Sequence, residues 1–222
     1  MKKFIFSMKV NIPKKENIFV TSYEDPAVFY YKPFVRRFYL RRLEMAIDLL
    51  DDKKKVNVLE IGYGCGVFLP ELSKRFSNVY AIDSHLNAKG VSEMLTKEGV
   101  SSHLLTADVF NLPFKNDVFD CIIVLSVLEH LNNLIQAIRE IKRTANENAQ
   151  IIFGIPAENW FMKTSFRLLG YKIDDLHVSS HDRIKKAIEM ELKVEKLKRF
   201  PNLFNCGFFL YTVASCRKGK GL

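Results

Sequence analysis

The chain has 222 residues, of which 48% are hydrophobic and 27% charged, and its formal net charge is +9. These proportions fit one α/β domain with an appendage and exclude a globally disordered chain. No run of the sequence approaches the ~20 apolar residues that a membrane-spanning helix needs. The basic residues are scattered among acidic ones, which favours solubility over a dedicated anionic partner.

The cysteines and the first residues bear on the compartment. The four cysteines form no CxxC pair, which argues against a zinc ribbon and fits a reducing environment. The opening MKKFIFSMKV is interrupted by Lys9 and is followed by no small-residue cleavage site, so it does not have the features of a signal peptide. We therefore expect a cytoplasmic protein, with peripheral contact at a membrane as an alternative.

The predicted elements begin with an irregular arm over residues 1–20 and an amphipathic helix over 33–50. Apolar strands then alternate with helices. Strands are predicted at 55–62, 78–83, 103–108, 119–126 and 149–156, and helices at 66–76, 87–97 and 131–145. Two further helices, at 160–169 and 181–190, and two final strands, at 193–200 and 208–215, complete the chain. The alternation predicts a mostly parallel sheet covered by helices on both faces.

Three alternating glycines follow the first predicted strand, in the segment Glu60-Ile61-Gly62-Tyr63-Gly64-Cys65-Gly66. A tight turn alone needs fewer glycines, and in open parallel sheets ligands bind at the carboxyl ends of the strands. The spacing departs from the dinucleotide fingerprint G-x-G-x-x-G because Val67 stands where the third glycine belongs. The loop therefore predicts a ligand site, and a nicotinamide-dependent oxidoreductase is disfavoured.

An acid follows each of the next two predicted strands. Asp83 can accept both hydroxyls of a ribose, as the analogous acid does in dinucleotide folds. Its alternative role is a helix N-cap, which Ser84 can also fill. Asp108 stands beside Val109 and other apolar residues, a combination that suits the exocyclic amine and the ring of an adenine. A glycine loop and two acids at successive strand ends together predict an adenosine-containing ligand.

These motifs resemble those of the class I S-adenosylmethionine-dependent methyltransferases, in the small-molecule, methyltransferase type 11-like branch. VLEIGYGCG resembles the first family motif, YAIDSH the second and TADVFNLPFKNDVFD the third. VLSVLEHLNNLIQAIREIKR, IIFGIPAEN and HVSSHDRIKKAIEMEL resemble later segments, so the match spans roughly residues 55–217. Two departures are the segment NEN (146–148) in place of Pro-Gly-Gly, which affects a turn, and Tyr63 at a loop position that is often smaller.

The resemblance implies a Rossmann-like, seven-stranded, mostly parallel sheet whose last strand is antiparallel, with an N-terminal helical cap. Residues 1–54 would form the arm and cap, and 55–222 the core, with an acceptor-loop insertion at about 157–182. The cofactor would be S-adenosyl-L-methionine, released as S-adenosyl-L-homocysteine. Its predicted ligands are the three glycines Gly62, Gly64 and Gly66, with Glu60 steadying their loop, Tyr63 at the methionine moiety, Asp83 with Ser84 at the ribose, Asp108 at the adenine, and Val109 and Ser126 lining the cleft.

The expected reaction is in-line displacement of the methyl group onto a small or lipid-like acceptor. The sulfonium already activates the methyl group, so orientation does most of the work and no catalytic residue is obligatory. Glu129 and His130 are the base candidates if the acceptor must lose a proton; capping and packing are their alternative roles. Tyr30, Trp160, His177 and His181 are the predicted substrate residues.

Three alternatives are weighed against this prediction. His177 and His181 are four residues apart, but no H-E-x-x-H pattern or third ligand accompanies them, so no metal is predicted. Nucleic acid is disfavoured as a substrate because Ser126-Val127-Leu128-Glu129 replaces the Asn/Asp-Pro-Pro-aromatic motif of amine-methylating relatives. A non-catalytic S-adenosylmethionine-binding subunit remains the competing function, and turnover of a labelled methyl group separates it from an enzyme.

Overall fold

A seven-stranded sheet organises the chain in the computed structural model, which describes residues 10–21, 25–52, 55–157, 178–201 and 209–219. The strands are β1 (Asn57–Ile61), β2 (Asn78–Asp83), β3 (His103–Thr106), β4 (Phe119–Leu125), β5 (Ala145–Pro156), β6 (Leu192–Phe200) and β7 (Tyr211–Lys218). Their order across the sheet is β3-β2-β1-β4-β5-β7-β6. The first five strands pair in parallel, and β7 runs antiparallel to both β5 and β6. The predicted fold class is confirmed.

The helices are α1 (Pro33–Leu49), α2 (Leu69–Leu72), α3 (Ala88–Lys97), α4 (Leu134–Thr144) and α5 (His181–Glu191), with 3₁₀ turns at Pro26–Tyr31 and Leu128–His130. Together they cover both faces of the sheet. Along β4, Cys121 and Ile123 pack on the face that α1 covers, whereas Ile122 and Val124 pack on the face of α4 and α5. Every central position of this strand is buried, as expected for a parallel strand between two helical layers.

The largest differences from the predicted boundaries are at two places. The helix predicted over 66–76 is a single α-helical turn, because Gly66 has a φ of +71° and cannot belong to it, and because the chain after Leu72 continues with tighter turns. Strand β5 begins at Ala145 instead of 149, where Ala145 pairs with Phe119 before a shift in register. Both differences arise from local backbone geometry that apolar periodicity does not encode.

The N-terminal arm lies against α2 and α3. The backbone N–H of Asn11 donates to Glu71 (2.8 Å), and the Asn17 amide donates to Glu98 (2.6 Å). The Phe19 ring packs on Gly90, where an added Cβ would lie 2.4 Å from it. The arm is therefore fastened along the side of the sheet that carries the glycine loop. The division at residue 54 and the acceptor-loop insertion remain predictions, and residues 158–177 of that insertion lie outside the described residues.

Candidate functional site

The glycine loop lies at the carboxyl end of β1, and close packing explains two of its three glycines. A Cβ added at Gly62 would lie 2.3 Å from Val127 Cγ2, and one at Gly66 would lie 2.7 Å from Val91 Cγ1. Gly64, with a φ of +50°, is different: no atom of the described residues lies within 4 Å of its added Cβ. The loop therefore presents a bare stretch of backbone at Gly64, where a ligand can approach closely.

Asp83, at the end of β2, reaches this loop. Its Oδ2 accepts the Gly64 N–H at 2.8 Å, and its Oδ1 accepts the His85 N–H at 3.3 Å. The predicted proximity of the acid and the glycine loop is therefore present. Asn87, and neither Asp83 nor Ser84, occupies the N-cap position of α3, so the capping alternative is wrong. Ser84 is exposed beside Asp83.

Two buried polar atoms flank the loop without a hydrogen-bond partner among the described residues: Glu60 Oε2 and the Tyr63 hydroxyl. Burial, and secondarily the charge of Asp83, raises the pKa of Glu60 well above its ordinary value. The same two causes raise the pKa of Tyr63 to about 12. Buried polar groups are normally satisfied, so two such atoms beside an open backbone surface mark a place where a polar ligand completes the site.

Asp108 and Val109 follow β3, next to the end of β2. The Asp108 carboxylate is exposed, and its Oδ1 accepts the Phe110 N–H at 2.9 Å, while the Val109 side chain is buried. The Ala107 N–H donates to the Asp83 carbonyl at 2.9 Å, which keeps the two strand ends together. The acid and the apolar side chain therefore stand at one edge of the sheet, as the sequence predicts.

Ser126 ends β4 with a φ of +57°, an uncommon conformation for a residue that is not glycine. Its Oγ lies 2.9 Å from the hydroxyl of Tyr211, the first residue of β7. The Tyr211 hydroxyl also packs on Gly154: a Cβ added at Gly154 would lie 2.4 Å from the hydroxyl oxygen. Burial raises the pKa of Tyr211 to about 12, so the pair is a neutral hydrogen-bonded wall at the strand ends.

Arg42 packs beside this wall. Its guanidinium carbon lies 5.1 Å from the Tyr211 ring centroid and 4.9 Å from that of Tyr39, distances typical of cation–π contacts. Arg42 Nε has no hydrogen-bond partner among the described residues. The sequence places Arg42 in an amphipathic helix as one basic residue among several, and nothing in that pattern distinguishes it from the exposed Arg36 and Arg37.

The two base candidates occupy different environments. Glu129 is buried in the turn Leu128–His130, and its backbone carbonyl accepts the N–H groups of Val178 and Ser179, which join the start of α5 to the end of β4. The His130 side chain is exposed. The predicted alternative in which Glu129 caps the next helix is wrong, because the Asn133 side chain caps α4 by accepting from the Gln136 N–H.

Two of the four predicted substrate residues are described. Tyr30 is buried and packs edge-on against Tyr39, with ring centroids 5.3 Å apart. His181 Nε2 lies 3.2 Å from Thr212 Oγ1, next to Tyr211, and burial lowers the pKa of His181. Ser180, rather than His181, caps α5. Trp160 and His177 lie outside the described residues.

Two further observations concern what the described part of the chain does not contain. No group of three or more His, Cys, Asp or Glu side chains in these ranges is arranged to hold a metal ion. Within the same ranges, no helix is both long enough and apolar enough to cross a membrane.

Comparisons with known proteins agree with this geometry. Residues 59–153 match the family model described as a methyltransferase domain. An uncharacterized protein of Methanocaldococcus jannaschii is 29% identical over 119 residues, which are 54% of this chain and 49% of that protein. A ubiquinone biosynthesis O-methyltransferase of Rickettsia canadensis is 29% identical over 112 residues, 48% of this chain and 47% of that one. The chain thus spans about half the length of these relatives.

Among solved structures, the N-methyltransferase NodS from Bradyrhizobium japonicum, in complex with S-adenosyl-L-homocysteine, superposes with a TM-score of 0.65. The two chains are 19% identical, and the superposition covers 90% of this chain and 95% of that one. Both comparisons agree with the predicted methyltransferase class. Residues 59–153 therefore match a methyltransferase domain, and the chain shares its fold with known methyltransferases.

Proposed function

We propose that this chain binds S-adenosyl-L-methionine across the glycine loop and transfers its methyl group to a small acceptor. The observation that carries the proposal is the open backbone at Gly64, bonded to Asp83 and flanked by the unpartnered Glu60 Oε2 and Tyr63 hydroxyl. An adenosyl amino acid supplies polar groups of the kind that this arrangement leaves unsatisfied. The residues present fit the cofactor.

Each part of the cofactor has a candidate ligand. Asp83 would accept from the ribose hydroxyls and Asp108 from the adenine amine, with Val109 against the ring. Arg42, which the sequence prediction missed, would bind the methionine carboxylate. It lies near Tyr30, and its charge partly opposes the burial that raises the pKa of Tyr30. A half-buried guanidinium with an unused Nε is suited to an anionic partner.

The sulfonium of the bound cofactor supplies an activated methyl group, so the protein's task is to align the acceptor with it and exclude water. Ser126 and Tyr211 would form the floor of the acceptor space, with Tyr30 and Tyr39 as its aromatic walls. A base is needed only for an acceptor that loses a proton. Glu129 is the better candidate, because it is buried at the end of β4 within the electrostatic reach of Arg42 and Tyr211, whereas His130 is exposed.

Two measurements test the proposal. Calorimetry should detect S-adenosyl-L-methionine binding, and a labelled methyl group should appear on an acceptor drawn from a panel of small hydroxyl and amine compounds. Binding without turnover on any acceptor would favour the competing function, a cofactor-binding subunit that acts through a partner. Absence of binding would contradict both functions.

The acceptor is proposed to be largely apolar and presented at a membrane surface; a small polar metabolite is the alternative. Exposed Lys32, Arg36 and Arg37 at the start of α1 support the membrane version, since each cation near an anionic membrane adds ~1 kcal/mol. Tyr39 and Arg42, in the same helix, pack inward and do not contribute. Anionic vesicles at low salt should sediment the wild type more than the Arg36→Glu/Arg37→Glu variant. Equal recovery in the supernatant would contradict membrane contact.

A further inference from the structure

His85 joins the glycine loop to the start of α3. Its Nε2 lies 2.9 Å from the Gly64 carbonyl oxygen, and its Nδ1 lies 3.1 Å from the backbone N of Asn87. The ring also packs edge-on against the Tyr63 ring, with centroids 4.9 Å apart. The half-buried His85 side chain therefore contacts two residues of the glycine loop, Tyr63 and Gly64, and the N-cap residue of α3, Asn87.

These contacts define the protonation state of the ring. A carbonyl oxygen only accepts hydrogen bonds, so Nε2 must carry the proton that it donates to Gly64. A backbone N–H only donates, so Nδ1 must offer its lone pair to Asn87. The Nε2–H tautomer of the neutral imidazole satisfies both ring nitrogens at once.

The bond matters because, among the described residues, Gly64 is held by few contacts. Gly62 and Gly66 pack tightly against Val127 and Val91, whereas no atom of the described residues lies within 4 Å of a Cβ added at Gly64. Two polar contacts hold it instead: its N–H donates to Asp83, and its carbonyl accepts from His85. The peptide groups on both sides of the Gly64 α-carbon are thereby fixed by side chains that follow β2.

We propose that His85 is a positioning residue that holds the Gly64 loop in the conformation that accepts the cofactor. The expected effect on cofactor binding rests on the proposed function. The effect of His85 on the loop conformation is a property of the free protein and does not. A glycine with open space around it loses much conformational entropy when ordered. If His85 already orders the loop in the free protein, cofactor binding does not have to offset that loss of entropy, and the affinity is higher.

Two variants and a matched control test the proposal. His85→Leu keeps most of the volume against Tyr63 but removes both hydrogen bonds, and His85→Gln keeps a donor for the Gly64 carbonyl. The control is His103→Leu, which removes another histidine that stacks on a tyrosine, Tyr80, at the opposite end of the sheet. Amide hydrogen exchange at residues 63–66 of the free protein should speed up in His85→Leu, less in His85→Gln and not in the control.

The second part of the experiment measures binding and turnover of S-adenosyl-L-methionine itself. We expect its Kd and KM to rise about tenfold in His85→Leu, the effect of losing one hydrogen bond of ordinary net strength, with a smaller rise in His85→Gln. The turnover number kcat should change less than about twofold, because the ring touches no reacting atom. A fall in kcat at unchanged KM would overturn a positioning role.

The outcomes separate the two levels of inference. If the wild type does not bind S-adenosyl-L-methionine, the proposed function fails, and the exchange comparison still decides whether His85 braces the loop. Wild-type exchange rates in both His85 variants would overturn the bracing. Ring ¹⁵N shifts of the wild type give a test that needs no variant: an Nδ1–H tautomer at His85 would overturn the proposal on its own.

Discussion

At the scale of single residues, the Asp83 carboxylate makes the most direct prediction. Asp83→Asn keeps an oxygen for the Gly64 N–H but replaces the charged acceptor that a ribose would use. Hydrogen bonds to charged groups contribute ~1.5–3 kcal/mol, so the Kd for S-adenosyl-L-methionine should rise roughly 10- to 100-fold by calorimetry. Asp120→Asn is the matched control, because Asp120 also accepts backbone N–H groups, from Val56 and Asn57, at the opposite end of the sheet. Unchanged affinity in Asp83→Asn would remove Asp83 from the site.

Glu60 predicts a pH-dependent stability of defined sign. Burial, and then the charge of Asp83, raises its folded-state pKa well above the ordinary value of 4.5. The unfolded chain therefore releases this proton at a lower pH than the folded protein, and stability is lost as the pH rises from about 4.5 through the folded-state pKa. Glu60→Gln removes that loss. The variant's free energy of unfolding relative to wild type should therefore improve between pH 4 and pH 8.

Urea denaturation at pH 4 and pH 8 measures this difference, and Glu140→Gln provides a control of opposite sign. Hydrogen bonds from Arg143 lower the pKa of Glu140, so its carboxylate stabilises the fold above its unfolded-state pKa and loses that effect in acid. Glu140→Gln should therefore be more destabilising at pH 8 than at pH 4. A Glu60→Gln effect that is the same at both pH values would show that the pKa of Glu60 is not raised in the folded protein.

At the scale of elements, the 3₁₀ turn Pro26–Tyr31 is placed to respond to the cofactor. Asp25 caps the turn by accepting from the Ala27 N–H. Burial is the main cause of the raised pKa of Cys65, a residue of the glycine loop, and the nearby Asp25 is the second cause. The turn therefore lies directly against the glycine loop. Amides of residues 25–31 should exchange several-fold more slowly when S-adenosyl-L-methionine is bound, whereas those of α4, on the other face of the sheet, should not change. Equal exchange with and without the cofactor would contradict contact between this turn and the bound cofactor.

The elements also show what the sequence could predict and what it could not. The short strands β1, β2 and β3, with glycines or acids at their ends, are local patterns, and they placed the loop, Asp83 and Asp108 correctly at one edge of the sheet. Ser126 and Tyr211 are 85 residues apart in the sequence, and their hydrogen bond depends on the insertion of β7 between β5 and β6. Arg42 acquires its role only because α1 packs on that edge of the sheet. Periodicity carries no information about such distant contacts.

His85 is a different kind of omission, since it was within reach of the sequence. It stands two positions after Asp83 in the segment YAIDSH, where the sequence prediction assigns roles to Asp83 and Ser84 alone. Its importance follows from the distance between its Nε2 and the Gly64 carbonyl, which depends on how the loop turns after Gly62. A polar side chain with both a donor and an acceptor, close behind a predicted ligand acid, is the signal that could have identified it.

At the scale of the whole molecule, cofactor binding should raise the melting temperature Tm. The increase should be seen with S-adenosyl-L-methionine and not with nicotinamide adenine dinucleotide. A ligand at 100 times its Kd stabilises the folded state by ~2.7 kcal/mol, and a chain of this size gains ~2–4 °C in Tm per kcal/mol, so saturating S-adenosyl-L-methionine should raise Tm by roughly 5–10 °C. Nicotinamide adenine dinucleotide should leave Tm unchanged, because Val67 is buried in the core where a dinucleotide loop needs its third glycine. Asp83→Asn, scanned at the same cofactor concentration, should lose most of the increase. A Tm increase with the dinucleotide that equals or exceeds the one with S-adenosyl-L-methionine would contradict the assignment of the loop.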